Sequence, residues 1–165
     1  MPQSARTIAI LVANPALSSV LHMVLATNPN FRVRTFHSLS AMQTYMRIAT
    51  VDMVVADYDC ASASADHVAI ALRADPGLYG SDFQLIALTS AVSPTLGSRS
   101  AAAGIDEVIV KPMSPRYLQE RVEARLEHGA ARVPSMRGSD PIEADFSRYS
   151  NVVPLFGHGR AQPAH

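Results

Sequence analysis

The sequence predicts an α/β domain built on a parallel sheet, and three observations predict it. Short apolar runs recur along the chain, among them Thr7 to Val12, Met53 to Ala56, Phe83 to Leu88 and Glu107 to Val110. Runs of that length, bounded by turn residues, read as strands buried on both faces. Between them lie segments whose apolar residues repeat at helical spacing, and strands alternating with helices over short loops make a layered α/β domain. The alternation by itself leaves the strand order open.

In chain order, Thr7 to Val12 is the first strand and stops at Ala13-Asn14-Pro15, where Asn14 can cap a helix beginning at Pro15. Leu17, Val20, Leu21, Val24 and Leu25 form its apolar stripe, which breaks at Asn28-Pro29. Phe31 to Phe36 alternates apolar and polar, as an edge strand does; Ser38 can then cap a helix carrying Leu39, Met42, Met46 and Ala49. Val51 to Asp57 is the third strand, with Asp52 near its entrance and Asp57 at its exit. The small polar stretch Tyr58 to Asp66 is expected to be a loop, followed by a helix from His67 to Arg73 that ends at Asp75-Pro76-Gly77.

Phe83 to Leu88 is the fourth strand and leads into Thr89-Ser90. Pro94, Gly97 and several serines make the helix within Ser93 to Gly104 a weak one, expected to be short or mobile. Glu107 to Val110 is the fifth strand, followed by Lys111-Pro112. The last helix has Ser114 as cap and Pro115 at its first position, buries Leu118, Val122 and Leu126, and can stop at Gly129. The expected organisation is therefore an N-terminal extension over 1–6, a domain over 7–129 and a tail over 130–165. The tail is proline-rich and polar, and expected to be flexible; its apolar segment Val152 to Phe156 has the character of a short docking motif.

Composition excludes several function classes. Fourteen basic and fourteen acidic residues balance to zero net charge with no basic stripe, so no nucleic-acid footprint is expected. The single cysteine, Cys60, rules out an intramolecular disulfide. The start does not read as a signal peptide and no apolar run reaches the length of a membrane span, so a cytoplasmic protein is expected. The six histidines, His22, His37, His67, His128, His158 and His165, show no metal-ligand spacing. There is no Gly-rich phosphate loop after the first strand and no Ser/His/acid motif, which leaves little support for a flavin-dependent or hydrolytic enzyme.

Ligands of open α/β sheets bind beyond the carboxyl ends of the strands. There this chain places Ala13 and Asn14, then Asp57, Thr89 and Lys111. A carboxylate, a hydroxyl and an ammonium converging on one edge can hold a phosphoryl group: acceptor, hydrogen-bond donor and charge clamp. The bland alternatives are an Asp57–Lys111 ion pair that only holds the pocket together, and Asn14 as a helix cap.

Residues 7 to about 128 resemble a response-regulator receiver domain of two-component signalling. The resemblance rests on VDMVVAD ending at Asp57, LIALTS with Thr89, AAAGIDEVIVKP with Lys111 before Pro112, and ALRADP in the third helix. It implies a doubly wound five-stranded parallel sheet of order 2-1-3-4-5 with helices on both faces, and a cis Pro112. It further implies Asp57 as phosphoacceptor, with Thr89 donating to a phosphoryl oxygen and Lys111 pairing with it, rather than an enzyme acting on other substrates.

The implied partners are a histidine kinase or phosphotransfer protein and a downstream protein. Contact, including a homodimer, would run through the fourth helix, fifth strand and fifth helix, with Val108, Arg116 and Tyr117. Two departures qualify this. Receivers carry an acidic pair after the first strand to hold Mg²⁺, and here Ala13 and Asn14 stand there. The Mg²⁺ site expected from Asp57, Asp59 and Asn14 is therefore weak or absent. Val108 stands where many receivers have an aromatic switch residue, which leaves a phosphorylation-independent interaction module as the alternative.

Overall fold

In a computed structural model the chain is described over residues 5–60, 63–130 and 152–153. Parallel strands β1 (Arg6–Leu11), β2 (Phe31–Phe36), β3 (Met53–Asp57), β4 (Gln84–Thr89) and β5 (Glu107–Val110) lie in the order β2-β1-β3-β4-β5. Between them run α1 (Pro15–Leu25), α2 (Leu39–Met46), α3 (Ala65–Ala74) and α4 (Leu96–Ala103), and α5 (Pro115–Ala130) follows β5. A two-residue strand, β6 (Val152–Val153), adds antiparallel to the outer edge of β5.

Strand alternation sorts the core into two layers. Ala9, Leu11, Val54, Ala56, Leu85, Ala87 and Val108 face Met42 and Met46 of α2, Val68 and Leu72 of α3, and Leu96 and Ala103 of α4. Ile8, Ile10, Met53, Val55, Ile86, Leu88 and Ile109 face Leu21 and Leu25 of α1 and Leu118, Val122 and Leu126 of α5. Successive side chains of a strand point to opposite faces, so apolar runs of this kind serve both layers at once. Burying each of the larger aliphatic side chains contributes about 1.5–3 kcal/mol.

Several boundaries differ from the sequence reading. Regular pairing of β3 begins at Met53, because Asp52 turns its carboxylate onto the Thr7 N–H (2.8 Å) and Arg6 Nη1 (2.8 Å). The helix of α2 ends at Met46, and the Tyr45 carbonyl then receives the N–H groups of both Ile48 and Ala49. Helix α3 starts at Ala65, so the expected loop is shorter than Tyr58 to Asp66. Helix α4 is short, as its composition implies, and closes on Gly104 in the left-handed conformation (φ 83°). A side chain at Gly104 would be strained there and would press on Arg73 Cγ at 3.2 Å. Helix α5 runs through Gly129 to Ala130. Of the apolar tail segment, Val152 and Val153 pair with β5, and 154–156 lie outside the described residues.

Candidate functional site

Asp57 ends β3 with its side chain only 4% exposed. The following N–H groups hold the corner: Tyr58 donates to the Leu88 carbonyl (2.8 Å) and Asp59 to Asp57 Oδ1 (2.9 Å). Lys111, one residue beyond β5, brings its Nζ to 3.0 and 2.9 Å from the two Asp57 oxygens. The same ammonium lies 2.6 Å from Asp59 Oδ2, which also accepts from the Ser90 hydroxyl. Asp57, Asp59 and Lys111 thus form an ion triad at the carboxyl edge of the sheet. The Lys111–Pro112 peptide is cis.

The electrostatics follow from those contacts. Asp59 is held below the ordinary carboxylate range by hydrogen bonds from Lys111 and Ser90. Burial pulls the Lys111 ammonium down, but hydrogen bonds to Asp59 and Asp57 outweigh it and raise the group above its ordinary value.

Of the residues read from the sequence, Asp57 and Lys111 meet, and Asp59 joins them. Thr89 ends β4, buried, at the same edge; its hydroxyl donates to the Ala91 carbonyl (2.9 Å) and accepts from the Ala91 N–H (3.2 Å), so it is engaged in its own loop. Asn14 Oδ1 accepts from the N–H groups of Ala16 (2.9 Å) and Leu17 (3.1 Å), the geometry of a helix cap. Ala13 is exposed. Cys60 lies in the loop after β3, with its side chain buried.

The expected magnesium donors can be tested against this arrangement. The ion demands near-octahedral oxygen ligands and is reluctant to shed water. Here the Asn14 oxygen is saturated by two amide groups and both carboxylates are bound to Lys111, so the donors as arranged do not fit it. Among the described residues no group of three or more His, Cys, Asp or Glu is placed to hold a metal; His158 and His165 lie outside them.

Comparison with known proteins bears on the whole domain. A receiver domain from Methanospirillum hungatei superposes with a TM-score of 0.68 at 17% identity, covering 78% of this chain and 98% of that one. An orphan response regulator of H. pylori gives 0.62 at 19% identity, covering 76% and 99%. This is the response-regulator receiver fold. In sequence, the DNA-binding response regulator MtrA of Mycolicibacterium smegmatis is 28% identical over 145 residues, 88% of this chain. The chain spans 61% of the length of that relative. No family model matches.

Within this domain the contact surface expected from the resemblance needs one correction. Val108 is fully buried between β4 and the α2–α4 layer, because β5 alternates its side chains into the two cores, so it belongs to the interior. Arg116 is exposed, and Tyr117 is half-buried against the α1–α5 core.

Three features escaped the sequence reading. Tyr58 reaches from the end of β3 to the buried Ser100 of α4 (2.7 Å), and burial raises its phenol above the ordinary value. Arg99 of α4 binds Asp66 of α3 at 2.6 Å. These two contacts tie α4 to the carboxyl edge of the sheet. At the opposite end of the sheet Glu107, 2% exposed, accepts from Arg121 Nε (2.5 Å) and Arg125 Nε (2.6 Å). Residues four apart on α5 present that pair of guanidinium groups, a spacing visible in the sequence once Glu107 is known to face the helix. No helix among the described residues is long and apolar enough to cross a membrane.

Proposed function

We propose that this domain is a receiver of phosphorelay signalling that works through protein contacts and takes a phosphoryl group on Asp57 from a histidine kinase or phosphotransfer protein. The observation that carries the reading is Asp57 at the end of β3 with Lys111 across both its oxygens. In the transfer, an Asp57 oxygen attacks phosphorus, the bond to the donor's leaving group breaks, and an acyl phosphate forms. Lys111 moves its charge from the carboxylate to a phosphoryl oxygen, which is the electrostatic help such transfer needs. Thr89 must give up Ala91 to donate to that group. Magnesium is bound weakly, and phosphorylation is slow.

The test is incubation with a small phosphodonor, with and without magnesium, followed by intact-mass measurement of the wild type and Asp57→Asn. Addition of one phosphoryl group to the wild type alone is expected; no addition under forcing conditions sinks the phosphoacceptor role. The closed Lys111 triad favours a second reading, a module whose partner contacts do not depend on phosphorylation. In that case Asp57→Asn leaves partner binding unchanged.

A further inference from the structure

The two edges of the sheet are defended differently. Outer strand β2 displays the exposed charges of Arg32 and Arg34, the ordinary protection against unwanted strand pairing. Strand β5 reads Glu-Val-Ile-Val, and its one charge, Glu107, is turned inward onto Arg121 and Arg125. The Lys111 N–H donates to the Thr89 carbonyl at 2.7 Å and Ala87 stands opposite Val108, so strand alternation sends the polar backbone groups of Glu107 and Ile109 toward β4 and those of Val108 outward. An uncharged edge of this kind is a template for another strand.

That edge is where Val152 and Val153 lie, antiparallel, with Ile109 opposite Val152 and Val108 opposite Val153. The 21 residues 131–151 join them to α5, and at about 3.3 Å per extended residue they leave ample slack for the return. Two residue pairs make a weak strand, which can leave and return without disturbing the core. A second β5 brought in by a two-fold axis would also pair antiparallel and would need the same outward groups, so the two occupants exclude each other.

We propose that the outer edge of β5 is a strand-addition site whose resident occupant is the chain's own Val152–Val153 segment, and that this cover prevents edge-to-edge pairing of two copies. The inference is independent of whether Asp57 is phosphorylated.

The experiment uses the full chain, comparing wild type with the double substitution Val152→Pro, Val153→Pro, which removes the donors and the extended backbone the pairing needs. Amide exchange by NMR is read at Val108, with Ile10 and Ile86 as monitors of the intact core, and self-association by sedimentation. The Val108 amide is expected to exchange about tenfold faster or more in the variant, with the monitors unchanged. A monomeric wild type is expected to give way to a concentration-dependent dimer. An excess of a synthetic peptide of residues 148–157 is expected to restore both Val108 protection and the monomer. Unchanged exchange at Val108 overturns the strand assignment. Faster exchange in a protein that stays monomeric overturns the exclusion of a second copy, and a wild type that is already dimeric overturns the cover in cis.

Discussion

Lys111 Nζ stands 2.6 Å from Asp59 Oδ2, closer than to either oxygen of Asp57 at 3.0 and 2.9 Å. The ammonium is thus shared between the buried carboxylate that the strand pattern singles out and a half-exposed one two residues later. That sharing sets how the site responds to substitution.

Removing Lys111 leaves Asp57 buried without a counter-charge and beside a second carboxylate. Lys111→Met is expected to lower the unfolding free energy by about 3 kcal/mol, the order found when one partner of a buried pair is lost. Asp57→Asn leaves Lys111 paired with Asp59 and is expected to cost about 1 kcal/mol or less. Urea denaturation of both variants measures this; equal losses would show that Asp59 does not hold the ammonium.

The shifts of Lys111 and Tyr58 make stability depend on alkaline pH. Both are raised in the folded protein, so each contributes stability that is fully present below its unfolded value, about 10.4 for a lysine and about 10 for a tyrosine. That contribution is lost as pH rises through the folded values. Wild type is expected to weaken from about pH 10 upward, with a shallower decline in both Tyr58→Phe and Lys111→Met. Denaturation midpoints between neutral and alkaline pH decide it, and parallel profiles in all three proteins would contradict it.

Restoring an acidic pair tests the missing metal donors. With Ala13→Asp and Asn14→Asp together, the new aspartate at 14 still caps α1, so the fold is kept. Magnesium binding followed by NMR titration is expected to tighten by at least about tenfold, with faster phosphoryl incorporation on Asp57. If neither changes, something other than these two positions limits the site.

Glu107 is the buried anion of the opposite edge. Glu107→Gln is expected to destabilise by about 3 kcal/mol, since it leaves Arg121 and Arg125 beside a neutral group in a mostly buried setting. Phosphoryl incorporation should be unaffected, because the residue starts β5 while Lys111 follows its end. A melting series with a mass assay on the same samples separates the two effects.

The sequence by itself determined the α/β class, the alternation of elements and the convergence of Asp57 and Lys111. Those follow from local periodicity and from the geometry of a parallel sheet, which sends every strand's carboxyl end to one edge. Asn14 was legible as a cap for the same local reason. Only the tertiary structure decided how the polar groups divide their partners. Nothing along the chain marks Asp59 as the nearest acid to Lys111 or Thr89 as engaged by Ala91. Nor does it mark Glu107 as the partner of two arginines or Val152 as the neighbour of Ile109, since those pairings join residues far apart in sequence. Such choices depend on which group comes within hydrogen-bonding distance after the sheet has packed, and a distance is a property of the fold.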